Sequence, residues 1–270
     1  MVTCAIDDTL KVLAIERNDV LLLLSDSAAY MVNCGKLLKS LYPKMKHVTC
    51  LAHLMHNCAE RVRISFPAID NLISSVKAAT VRSRQRRNMF PQAPPAPVLT
   101  RWASWLEAAL FYAEQYSEVK DIVLSFEDDG LIVSKAKSAI SHADLQTELI
   151  LVCEYRPLVE LVLKMESQDF QISQAYSTIS RFQENLKSLD PAGILEYLTA
   201  RLQNNPDLSE IIEGNGNLSP AEYSKLRKAQ PSSGDVERSF SKLNHLLADD
   251  RNFLEDNIEQ YIVCYANNMD

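Results

Sequence analysis

The stretch Val20-Leu21-Leu22-Leu23-Leu24-Ser25-Asp26-Ser27 is a short apolar run that ends abruptly in an acidic turn. An unbroken apolar run of this length, without alternation, is the pattern of a strand covered on both faces, as in α/β sheets. Downstream, 28–41 carries Met31, Cys34, Leu37, Leu38 and Leu41 at helical spacing and closes at Pro43. His47-Val48-Thr49-Cys50 predicts a second short strand. It runs into a helix over 51–64, with Leu54, Cys58 and Val62 inward, that stops near Pro67. Strand, acidic turn, helix, strand, helix is a βαβα fragment, which requires a parallel sheet. Two short strands are too small to stand alone. Upstream, 9–16 predicts a short helix with Leu10, Leu13 and Ala14 on one face, broken at Asn18-Asp19.

Past Pro67 the texture becomes helical. Residues 68–88 predict one helix with a basic end: Lys77, Arg82, Arg84, Arg86 and Arg87. Pro91-Gln-Ala-Pro-Pro-Ala-Pro97 is a stiff extended linker. Helical patterning resumes over about 101–126, 131–149, 151–167, 171–188, 191–204 and 207–213. Ser219-Pro-Ala-Glu222 is a capping box with proline at the first helical position. A final helical pair, about 235–248 and 255–266, follows the turn signal Pro231-Ser-Ser-Gly234. There is no internal repeat and no sustained heptad.

Composition narrows the class further. The 270 residues, 47% hydrophobic, suffice for one sizeable core or two modest ones. Six glycines allow few tight turns, which argues against β-sandwiches, barrels and propellers. Neither GxGxxG nor GxxxxGK[ST] can be written from them. No apolar run approaches the ~18 residues of a membrane span, and no basic segment followed by an apolar stretch marks a signal peptide. Six cysteines at irregular spacings form no CxxC, which fits mostly buried free thiols in a reducing compartment. The net charge of −7 conceals a division. Residues 1–118 hold 14 Lys/Arg against 10 Asp/Glu, and 119–270 hold 14 against 25. The N-terminal half is therefore the one suited to phosphate.

Several residues have two readings each. Asp26, at the carboxyl end of a buried strand, stands where open α/β sheets bind ligands, so it is a metal or phosphate ligand or else the cap of the next helix. Cys50-x2-His53-x2-His56-x-Cys58 has the look of zinc spacing. On a helix, however, Cys58 lies about 140° round from His53, and a polar face of His53 and Asn57 turned toward Asp26 is the better reading. In Thr100-Arg101-Trp102-Ala-Ser-Trp105 the tryptophans anchor a core or a helix interface, or one stacks on an unpaired base. The arginines at 82–87 are a solvated helix end, a phosphate contact or a nuclear-import signal. Glu237 falls in the first turn of a helix, where the macrodipole favours a carboxylate whatever its role.

Taken in order, these pieces resemble the hAT superfamily of DNA transposases. The resemblance rests on four blocks: Leu23-Leu-Ser-Asp26-Ser-Ala-Ala-Tyr-Met31, Cys50-Leu-Ala-His53-Leu-Met-His-Asn57, Thr100-Arg101-Trp102, and Pro231-Ser-Ser-Gly-Asp-Val-Glu237-Arg-Ser-Phe240-Ser241 with Asp250-Arg-Asn-Phe-Leu254. It implies an RNase H-like catalytic core interrupted by a helical insertion. The family's chemistry uses an Asp-Asp-Glu triad holding two Mg²⁺ ions. By matched position, Asp26 would be the second carboxylate and metal ligand, Glu237 the third, and His53 a polar active-site neighbour. Trp102 and Arg101 would lie near the DNA end, with Arg82, Arg84, Arg86 and Arg87 as further DNA contacts. The family's first aspartate belongs on a strand well upstream, and only 25 residues precede Asp26. Asp7 and Asp8 sit beside a predicted helix. Tyr30 stands where the family often has Asn, and the helical insertion is short.

The resulting expectation is a mostly α chain with a small α/β part. Residues 1–66 form an incomplete RNase H-like remnant, 67–218 a helical insertion and 219–270 a dimerisation region. In that region Val236, Phe240, Leu243 and Leu247 form one apolar stripe, and Ile258, Tyr261, Ile262 and Tyr265 a second. The expected protein is a nuclear (alternatively cytoplasmic), transposon-derived homo-oligomer with residual DNA affinity and no membrane association. It lacks catalysis and any cofactor of its own. The alternative is an active Mg²⁺-dependent transposase or nuclease, if the chain is a fragment of a longer protein with a complete core.

Overall fold

A computed structural model describes residues 2–81, 83–97, 103–127, 130–165, 167 and 169–233. The described residues are mostly helical, with one small parallel sheet. It begins with α1 (Val2–Val12), β1 (Leu22–Ser25), α2 (Ala29–Leu41), β2 (Lys46–Thr49) and α3 (Leu51–Ser65). The βαβα order is as the apolar pattern implied. β1 and β2 pair parallel, Leu22 opposite Lys46 and Ser25 opposite Thr49. β1 is covered on both faces, since Leu23 packs with Cys34, Leu38 and Tyr42 while Leu22 and Leu24 pack against the main core. All three remain only half-buried.

The helical part follows as α4 (Pro67–Val81), α5 (Arg84–Asn88), α6 (Ser104–Glu114), α7 (Tyr116–Leu124), α8 (Leu131–Ile140) and α9 (Leu145–Val152). A 3₁₀ turn at Cys153–Tyr155 leads to α10 (Arg156–Met165), α11 (Ile172–Leu186), α12 (Ile194–Gln203), α13 (Leu208–Glu213) and α14 (Pro220–Lys228). One hydrophobic cluster runs from Val48 to Leu226. It crosses positions 66/67 and 218/219, where the sequence suggested boundaries. α3 is its central rod, packed on α10 and α12. No helix among the described residues is long and apolar enough to cross a membrane.

Five expected helical spans need correction. The first helix spans Val2–Val12 rather than 9–16, because Ile6 and Leu10 are its inward pair. Ala14, at φ 53°, lies beyond its end. The expected 68–88 helix is two, α4 ending at Val81 and α5 capped by Ser83, whose hydroxyl accepts from the Arg86 N–H. The 101–126 span gives α6 and α7, broken at Gln115, and 131–149 gives α8 and α9, broken at 141–144. The 151–167 span tightens to 3₁₀ before α10 because Pro157 has no N–H with which to bond back four residues. The capping box at Ser219 is present: its hydroxyl accepts from Glu222 N, and the Glu222 side chain accepts from Ser219 N. The helices expected at 235–248 and 255–266 lie outside the described residues.

Candidate functional site

The carboxyl end of the sheet collects groups distant in sequence. Cys50 donates its N–H to Ser25 O (2.7 Å), so the turn after β1 and the start of α3 meet directly. Leu51 N donates to Pro231 O (2.9 Å), and Ser233 N to the Cys50 sulfur (3.5 Å). The chain therefore returns, 180 positions after Leu51, to the edge where Asp26 stands, and Ser233 is four positions before Glu237 in the sequence. The Cys50 thiol is almost wholly buried. Burial pushes its pKa up, but hydrogen bonding from His53 and Ser233 outweighs this and holds it below the ordinary thiol value.

Asp26 is half-buried, and its Oδ1 accepts from Ala28 N (3.1 Å), tying the turn that launches α2. The N-cap of α2 is Ala28, with no side-chain cap bond, so Asp26 forms an Asx turn two residues before the helix rather than its cap. Beside it, Ser25 Oγ donates to Asp26 O (2.8 Å) and lies 2.8 Å from His47 Nε2. With the hydroxyl proton committed to a carbonyl, His47 is left as donor to Ser25 Oγ. The pair is thus a buried strut rather than a nucleophile and its base. Asp7 is held in α1 by the Tyr42 hydroxyl (2.7 Å) and Lys11, and Asp8 faces Lys11. Among the described residues no three His, Cys, Asp or Glu side chains cluster to hold a metal ion. The described donors at this edge do not make a divalent-cation site by themselves. Glu237 lies outside the described residues. Cys58 sits in the core, its thiol pushed up to about 12 by burial, which takes it out of any zinc set with Cys50 and His53.

The outer edge of β2 is closed by side chains, a feature the sequence reading missed. Asn205 accepts from Thr49 N (3.0 Å) and donates to Thr49 O (3.1 Å). Asp207 accepts from His47 N (2.6 Å) through its carboxylate and donates its own N–H to His47 O (3.1 Å). Lys39 pairs with the same carboxylate. The run Asn204-Asn205-Pro206-Asp207 reads in sequence only as a turn. Burial lowers the His47 pKa, the Asp207 charge works against that, and Lys39 adds to it.

The neutral His47 ring has a pH consequence. The unfolded chain takes up a proton near 6.5, while the folded ring resists it. Its contribution is fully present above that pH and is lost as pH falls below it. Urea unfolding at pH 7 and pH 5 should show lower stability at pH 5, and the His47 ring resonances should titrate below 6.5. A ring that titrates above 6.5 would contradict this.

The expected DNA-facing residues separate. Arg82, Arg101 and Trp102 lie outside the described residues. Arg84 and Arg87 are exposed on α5. Arg86 is turned inward, donating to Ala79 O (2.9 Å) with its guanidinium 5.9 Å from the Phe126 ring centroid, so it braces α5. Trp105 is a core residue and lines a cleft of about 440 Å³ between α3, α4 and α6. On that cleft Arg63 pairs with Asp70 (2.9 Å) and Glu60 (3.4 Å), while Lys77 donates to the Pro97 carbonyl (3.0 Å). The residues expected to carry dimerisation, Phe240, Leu243, Leu247, Ile258, Tyr261 and Ile262, lie outside the described residues. Comparison with known proteins gives no matching family model, no matching curated protein and no matching solved structure.

Proposed function

We propose that the chain is a transposon-derived protein of the hAT type, with an RNase H-like remnant that has lost strand-cutting chemistry. It associates with itself through 219–270 and retains contact with DNA through its basic N-terminal half, in the nucleus. The observation that carries this reading is the convergence at the carboxyl end of the sheet. Ser25-Asp26, Cys50-His53 and Pro231-Ser233 come from three of the four blocks that resemble the family, and backbone contacts join them there. Parallel strand order alone sets the first two blocks at this edge, but chance resemblance gives no reason for the third, Pro231-Ser233, to arrive there too.

The loss of catalysis is supported by what the acids do. Asp26 is engaged by the turn before α2, and Asp7 and Asp8 are tied up on α1. Two-metal phosphoryl transfer depends on positioning and charge neutralisation, so a missing ligand undermines both. Mg²⁺ enters this reading only if further strands complete the core.

Incubation of the purified chain with supercoiled and linear DNA in Mg²⁺ or Mn²⁺ should give no nicking, and deletion of 235–270 should reduce the assembly size. Nicking that is abolished by Asp26→Asn would overturn the loss of catalysis. An assembly size unchanged by the deletion would overturn the C-terminal association.

A further inference from the structure

The two edges of the sheet are treated in opposite ways. Lys46 N bonds to Leu21 O and Cys50 N to Ser25 O, so the odd-numbered residues of β1 turn their backbone groups to β2. Leu22 and Leu24 therefore direct their N–H and C=O groups away from it. On β2 the outward groups belong to His47 and Thr49, and Asp207 and Asn205 satisfy all four. Among the described residues β1 has no second neighbour in the sheet. Exposed strand edges are usually blunted by charge, proline or a bulge. Residues 20–24 carry neither charge nor proline. Among the described residues one edge is sealed and the other is open.

We infer that the outer edge of β1 is a pairing surface for β1 of a second copy of this chain, joined antiparallel about a two-fold axis. The two-fold fixes the antiparallel sense, because the same edge faces itself. The occupant must bring apolar side chains to both faces, since Leu23 points to the α2 side and Leu22 and Leu24 to the main core. Val20-Leu21-Leu22-Leu23-Leu24 does so at every position, so apolar meets apolar in each register in which the strand overlaps itself. Pairing joins two two-stranded parallel sheets into four strands, and it covers the three half-buried leucines. This surface is independent of 219–270 and of the hAT reading.

Amide hydrogen exchange on the full chain, read at Leu22 and Leu24 across dilution, tests the pairing apart from any other self-association. Exchange at both should slow at least about tenfold from low to high micromolar protein, while Leu23, bonded within the sheet, stays protected throughout. Leu22→Pro removes an outward N–H and leaves the β1–β2 ladder intact, a position where strands tolerate proline. It should abolish the concentration-dependent protection at Leu24. Fast exchange at Leu22 and Leu24 at every concentration would overturn the pairing. Protection independent of dilution would also overturn it, by showing the edge covered within one molecule. If Leu22→Pro does not fold, the dilution series on the unaltered chain decides alone.

Discussion

Asp207→Ala is expected to destabilise the chain by about 2–3 kcal/mol, near the upper end for a buried donor left without its acceptor. The carboxylate accepts the His47 N–H at 2.6 Å, and both His47 and Asp207 are buried. Alanine leaves that N–H facing a gap that water reaches poorly. It also removes the partner of Lys39, a smaller loss because Lys39 is about one-third exposed. Asp207→Asn retains an acceptor oxygen and should cost roughly half as much. Urea unfolding of the two variants measures the difference. Equal, small effects would mean that the β2 edge does not depend on this clamp.

Gly35→Ala should cost about 2 kcal/mol net. Gly35 is buried in α2, and a Cβ there would overlap the His47 ring, 2.7 Å from Cε1 and 2.8 Å from Cγ. The ring has little room to yield, being buried and bonded to Ser25. Overpacking of this kind costs about 1–3 kcal/mol, and the better helix propensity of alanine returns at most ~1 kcal/mol. If the clash is the cause, Gly35→Ala should cost much less in a His47→Ala background, and a double-mutant cycle reads that coupling. Additive effects would place the cost elsewhere.

These two sites also show where the sequence is informative. The apolar run 20–24, the helical spacing of Cys34, Leu38 and Leu41, and the capping box at Ser219 are local patterns, and each marks an element the structure contains. Helix ends were less legible. Ser83 as a cap and Pro157 as a tightener act through single backbone groups that periodicity averages away. The edge clamp of Asn205 and Asp207 was not legible at all. Its partners, Thr49 and His47, lie 156 and 160 positions away, and nothing in Asn204-Asn-Pro-Asp207 marks which strand it will meet. Gly35 was equally silent, since a helical glycine signals close approach without naming the group that approaches. The candidate site was half visible. Asp26 and Cys50-His53 could be set at one sheet edge from strand order, whereas the arrival of Pro231-Ser233 at that edge is a long-range contact that only the fold supplies.

One distance separates the hAT reading from chance resemblance: that between the carboxyl groups of Asp26 and Glu237, 211 positions apart. An experimentally determined structure of the full chain measures it directly. Descent from an Asp-Asp-Glu enzyme predicts that the two groups face each other within about 12 Å, the reach of a shared two-metal site. Carboxyl groups farther apart than that, on unrelated surfaces, would contradict the reading and remove the basis for assigning either residue a catalytic ancestry.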